Sequence, residues 1–140
     1  MYKTILHATD LSENHYNLCQ QAVALAQCFK ANLHFLHVIE TPTSLQWAQS
    51  LGFAELAVPV KDDAITTMAT LGEALNIPLS NQHVEVGTAY SHILKKAEEL
   101  GCDLIIIGSH SHYTLPSLLG STADAIVRHA SCAVLTLRAN

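Results

Sequence analysis

Apolar positions along this chain fall into short unbroken runs that alternate with longer stretches repeating every three or four residues. Lys3 to Thr9 (KTILHAT), Asn32 to Ile39 (NLHFLHVI), His83 to Val86, Leu104 to Ile107 and Ala133 to Leu137 read as strands. The fourth is wholly apolar without alternation, as expected of a strand covered on both faces of a parallel sheet. The helical stretches lie between these runs. Leu18, Ala22, Leu25, Ala26 and Phe29 mark the inner face of a first helix, with Ser12 as its N-cap. Ala64, Met68, Leu71 and Leu75 mark a second, from Val60 to Leu75, with Pro78 beyond its end. Tyr90, Ile93, Leu94, Ala97 and Leu100 form the stripe of a third, which leaves Lys95 and Lys96 in solvent and closes on Gly101 as C-terminal cap. Ala123, Ile126, Val127 and Ala130 share one face of a fourth. Ser121 is its natural N-cap, and Asp124 completes something close to a capping box. Glu40 to Val58, which holds Pro42, Trp47 and Gly52, is the least periodic region and reads as a long loop with some helical turns.

Five strands alternating with four helices specify an α/β domain of three layers, an open parallel sheet with right-handed crossovers, for which the strand order 3-2-1-4-5 is taken. In such sheets ligands bind at the carboxyl ends of the strands, where the strand order reverses. That switch lies between the first and fourth strands and brings Asp10 beside Gly108. The start of the fourth helix, with its free N–H groups and the hydroxyls of Ser121 and Thr122, suits an anion. The last strand falls at a sheet edge with no charge or proline to blunt it before Arg138. Two copies are therefore expected to pair Cys132 to Leu137 in a two-fold homodimer.

Composition narrows the function classes. At 140 residues the chain has room for one domain, spanning 1–140. Apolar residues make up 49% of it, yet no run approaches the length of a membrane span, and no secretory leader is legible at its start. A cytoplasmic location is expected. The net charge of −5, with only 7 Lys and Arg, excludes a nucleic-acid partner that needs clustered basic side chains. Four cysteines without a CxxC pair read as buried, reduced thiols. His110 and His112 lack a third ligand at a defined spacing and read as a solvated loop, so no metal site is expected. His7, His34 and His37 fall on strands and suit core or surface roles better than catalysis.

YKTILHATDLS, LHFLHVIE, VEVG, HILKKAEELGCDLIIIGSHS and GSTADAIVRHASCAVLTLR together resemble the universal stress protein family in block order over essentially the whole chain. The resemblance implies a Rossmann-like adenine nucleotide-binding fold, a cytoplasmic homodimer and a role in survival under stress. A large subgroup binds ATP through glycine, two residues, glycine, nine residues, glycine, then serine or threonine. This chain keeps Gly108 and Gly120-Ser121, but Ser111 replaces the second glycine and eight residues separate it from Gly120. No Lys or Arg stands in that loop. The departures are more similar to the universal stress protein A subgroup, which does not retain the full nucleotide motif. Carried over by position, the resemblance implies Asp10 near the ribose or adenine and Val38 offering its backbone to the base. It implies Gly108 and Ser111 by the phosphates, and Gly120, Ser121 and Thr122 at the helix start.

Other chemistries lack their residues. There is no GxSxG elbow, no Walker lysine and no hydroxyl-rich glycine loop after the first strand. Val86-Gly87 and Leu137-Arg138 do not supply the acid and lysine of a receiver domain. Two readings stay open. One is a dimeric, non-catalytic stress-response protein with a partly degraded nucleotide crevice and other proteins as partners. The other is an ATP-binding switch with slow hydrolysis. ATP or AMP is the cofactor that the resemblance implies. Asp10 also has a plain structural role available, bonding backbone N–H groups where the first helix begins.

Overall fold

The computed structural model describes residues 1–40, 50–52, 58–109 and 119–138. Its strands are β1 (Thr4–Ala8), β2 (Asn32–Ile39), β3 (Gln82–Val86), β4 (Leu104–Gly108) and β5 (Ala133–Leu137). The helices among the described residues are α1 (Tyr16–Phe29), α2 (Val58–Leu75), α3 (Ala89–Leu100) and α4 (Ser121–His129). Glu13–His15 and Leu79–Asn81 form short 3-10 turns. The sheet is parallel, as expected from the alternation of elements, and has the expected order β3-β2-β1-β4-β5.

Successive strand side chains point to opposite faces, and this splits the core in two. Ile5, Phe35 and Ile106 pack with Cys19, Ala22 and Ala26 of α1 and Met68 of α2. Leu6, Leu36, Ile105 and Ile107 pack with Ile93 and Ala97 of α3 and Ala123 and Ile126 of α4. Each central strand therefore buries both faces, which is why β4 reads as an unbroken apolar run. α1 and α3 both end on left-handed residues, Lys30 and Gly101. Glycine adopts that conformation without cost at Gly101, whereas Lys30 carries a Cβ penalty of about 1 kcal/mol.

Several expectations are corrected. Tyr90 and Val127 are exposed and lie off the core stripes of their helices, because the α-helical period carries them past the sheet-facing edge. Lys96 does not face solvent. Its side chain is 17% exposed and its ammonium lies 2.7 Å from Glu85 Oε2. Cys28 is exposed on the outer side of α1 while Cys19 is buried, so not all the thiols are buried. Gly120 rather than Ser121 caps α4, with extended backbone and no side-chain cap bond. Asp124, expected to close a capping box, instead accepts a 2.9 Å bond from Arg128 Nε one turn on. Ser12 precedes the 3-10 turn rather than α1 itself and makes no side-chain cap bond. Most of the Glu40 to Val58 loop lies outside the described residues, and α2 begins at Val58.

Candidate functional site at the carboxyl ends of β1 and β4

Strand register sets the site. Ala8 pairs with Leu36 of β2 and with Ile107 of β4, so Asp10 and Gly108 emerge at the same end of the sheet. Val38, two residues beyond Leu36, reaches the level of Asp10 on the other side of β1. Its half-buried side chain joins the α3 and α4 face of the core.

The turn after β1 is held by its own side chains. Thr9 Oγ1 accepts from Leu11 N at 3.1 Å, and Asp10 Oδ1 accepts from Ser12 N at 2.8 Å. These short polar loops let Leu11 take a left-handed φ of 63°, which a branched residue avoids elsewhere. His37 Nδ1 donates to Thr9 O at 2.8 Å and fixes the turn to β2. The plain role of Asp10 is thus real, but it uses only one carboxylate oxygen.

The other oxygen meets a residue that periodicity did not single out. Asp10 Oδ2 lies 3.2 Å from His15 Nε2, because the 3-10 turn Glu13–His15 folds the chain back toward β1. The Cε1–Nδ1 edge of the same ring lies against Gly108: a Cβ built there would stand 3.4 Å from His15 Cε1 and 3.0 Å from Leu18 Cδ1. A side chain at Gly108 would therefore need Leu18 of α1 and His15 to give way by a few tenths of an ångström. No apolar repeat could have marked His15, since it precedes the first α-helical residue, Tyr16.

From Gly108 the contacts continue to α4. Ser109 N donates to Leu137 O at 2.8 Å, and Ser109 O accepts from Gly120 N at 2.7 Å. The Gly120 N–H is thereby occupied. The N–H groups of Ser121, Thr122 and Ala123 open the first turn of α4, and among the described residues none of them meets an acceptor. Asp10, Gly108 and Gly120 thus converge, with Ser121 and Thr122 beside them, while Ser111, His110 and His112 lie outside the described residues. Among the described residues no group of three His, Cys, Asp or Glu can hold a metal ion.

Beneath the crevice, His7 is fully buried, and burial holds its pKa down at about 4, against a raising hydrogen bond to Ile106 O. Cys19 is held above the usual thiol range, first by burial and against a 3.6 Å bond to Thr9 Oγ1. His7 lies in the core with no solvent exposure, and the raised pKa of Cys19 keeps its thiol protonated and weakly nucleophilic.

Residues 1–138 match the family model described as the universal stress protein family. The chain belongs to the universal stress protein family. Universal stress protein A homolog 2 of Coxiella burnetii is 37% identical over 142 residues, covering 98% of this chain and 95% of the relative. The solved structure of hypothetical protein MJ0577 superposes with a TM-score of 0.77 at 28% identity, covering 100% of this chain and 98% of that one. A universal stress protein in complex with cAMP superposes with a TM-score of 0.72 at 17% identity, covering 99% and 98%, which is a likeness of fold. The order of strands and layers found here is the Rossmann-like α/β arrangement of this family.

Proposed function

We propose that this universal stress protein is a non-catalytic stress-response protein of the cytoplasm, one domain spanning residues 1–140, acting as a homodimer. In this reading its crevice takes the adenosine monophosphate part of a nucleotide in preference to a polyphosphate tail. The supporting observation is the continuous line of contacts from Asp10 through His15, Gly108 and Ser109 to Gly120. Asp10 and the backbone of Val38 serve the ribose and base. The helix start at Ser121 and Thr122 serves one phosphate, which backbone donors and the helix dipole can hold. The second and third phosphates would depend on Gly108 and Ser111. Leu18 and His15 crowd one side of Gly108, 3.0 and 3.4 Å from a Cβ built there, and the Gly120 N–H is committed to Ser109 O. The cAMP complex of a protein with this fold is in keeping with a ligand bearing one phosphate.

The dimer reading rests on β5, whose edge faces no other strand among the described residues and whose residues are at most half-buried. A charge-free strand of that kind is a ready template for a second copy.

Calorimetry of nucleotide-free protein with AMP and with magnesium ATP tests the crevice. AMP should bind at least as well as ATP, with Kd on the order of 0.1–1 mM. ATP bound at low micromolar concentration and AMP far more weakly would instead establish the ATP switch, and phosphate release would then measure its hydrolysis. No heat from either ligand at several millimolar would remove the nucleotide from the protein's function altogether.

A further inference from the structure

We propose that Cys102 and Cys132 form a redox-active pair, a dithiol that a peroxide converts to an intramolecular disulfide at the amino ends of β4 and β5. The pair lies at the opposite end of the sheet from the crevice and does not depend on it. Cys102 follows Gly101, the left-handed residue that ends α3, and Cys132 immediately precedes β5. Leu104 pairs with Ala133, so the register carried one step back sets Asp103 level with Cys132 and Cys102 one residue diagonal to it. Neighbouring strands lie about 4.8 Å apart and rise about 3.3 Å per residue, which makes that diagonal about 6 Å, the usual Cα separation of a disulfide. Both side chains pack on the face of the sheet that α3 and α4 cover, and they line one cavity of about 310 Å³ with Leu94, Ala97 and Ile105. The backbone at Cys102 is held from two sides, by its own N–H to Ala97 O at 2.8 Å and by Asp103 N to Thr4 O at 3.0 Å.

The two thiols differ in role. Burial raises both, and the charge of Cys132 further opposes ionisation of Cys102, which is pushed up to about 11. Cys132 is thus the first to ionise, and its thiolate is the attacking group. It attacks one oxygen of hydrogen peroxide, the O–O bond breaks, and the departing hydroxide takes up the thiol proton as water, leaving a sulfenic acid on Cys132. The Cys102 sulfur then displaces the sulfenic hydroxyl, which leaves with the Cys102 proton as a second water while the S–S bond forms. Two thiols and one peroxide become one disulfide and two waters. The raised values make the pair slow to react at neutral pH, so it responds to sustained rather than fleeting peroxide. The bond ties the start of β5 to the chain entering β4 and closes a loop that holds β4 and α4.

The test uses Cys28→Ser protein, because the exposed Cys28 would join molecules to one another. After incubation with hydrogen peroxide and blocking of free thiols, peptide mass spectrometry without reductant should find Cys102 joined to Cys132, with the buried Cys19 still reduced. The intact mass should fall by that of two hydrogen atoms, and dithiothreitol should restore it. The oxidised protein should melt about 5 °C or more above the reduced one, since closing a loop of this length stabilises the fold. In a further Cys102→Ser variant the sulfenic acid on Cys132 has no resolving thiol and should be trapped by dimedone, whereas Cys132→Ser should leave Cys102 unlabelled. Reversed labelling overturns the assignment of attack to Cys132. Oxygen added to either cysteine without a link between them overturns the pair itself, as do thiols that both survive millimolar peroxide. A linked protein that melts below the reduced one shows that the bond forms only by distorting the fold, and overturns it equally.

Discussion

His7 Nδ1 donates a 3.1 Å hydrogen bond to Ile106 O, and its Nε2 is left buried without a partner. The ring stands edge-on to Phe35 in the core beneath α1, where the charged form is poorly tolerated. Burial therefore lowers its pKa from 6.5 to about 4, helped by His15 and opposed by the Ile106 bond and Asp10. Between those values the unfolded chain binds a proton that the folded chain refuses. The stabilisation is complete above about pH 6.5 and lost as pH falls toward 4, roughly 3 kcal/mol over the whole window. Urea unfolding should show about 2 kcal/mol of this loss between pH 7 and pH 5. His34 and His83 are lowered as well, by burial and then by Lys96, and add in the same direction. His7→Leu should remove the His7 share of the slope. An unchanged slope would place the acid lability elsewhere.

Much of this architecture was legible in the order of apolar runs. β2 and β5 appear at their expected ends, and the sheet has the expected 3-2-1-4-5 order. The pairing of Asp10 with Gly108 across the switch point was legible for the same reason, because topology alone sets it. What was hidden depended on side-chain reach across elements. Lys96 looks solvent-facing by helical period, yet its long stem carries the ammonium back to Glu85 on β3. Leu18 Cδ1 and His15 Cε1 come close to Gly108, 3.0 and 3.4 Å from a Cβ built there, an approach that the motif does not show. The cap of α4 moved by one residue because the Ser109 to Gly120 bond closes the turn before Ser121 can.

Glu85 is the anchor of α3 on the sheet. Its two oxygens accept from His92 Nδ1 and Lys96 Nζ, both at 2.7 Å, and its side chain is 26% exposed. Burial pushes the carboxyl up, but these two bonds outweigh it and leave the group below its ordinary value. Lys96→Met would retain the stem and strip the ammonium, leaving a partly desolvated carboxylate with one partner fewer. Thermal or urea unfolding at pH 7 should show a loss of about 1–2 kcal/mol. A loss below about 0.3 kcal/mol would mean that the pair behaves as an ordinary surface ion pair.

The proposed dimer can be tested without disturbing the core. Leu135 and Val134 each pack against one of the two clusters, whereas Thr136, half-buried, is the one polar residue of β5. Thr136→Lys therefore places a charge on the edge strand at little cost to the fold, and across a two-fold pairing it sets like charges near each other. Sedimentation should report monomers for the variant at concentrations where the wild type is dimeric, with an unchanged circular dichroism spectrum. A variant that remains dimeric would refute pairing through β5.

Gly120 separates stability from binding. Its backbone, at φ −61° and ψ 152°, suits any L-residue, and it occupies the N-cap of α4. Aspartate is among the best N-cap residues, because its carboxylate accepts from the N–H groups of the first turn. Gly120→Asp would direct its oxygens to the donors of Ser121, Thr122 and Ala123, the groups assigned to the ligand phosphate. The same substitution should hold or raise stability, by up to about 1 kcal/mol, and reduce AMP affinity at least tenfold by occupation and by like charge. Thermal unfolding and calorimetry on one preparation read both quantities. Lost stability with retained affinity would reverse the assignment, making the turn a structural joint and placing any nucleotide elsewhere on the sheet.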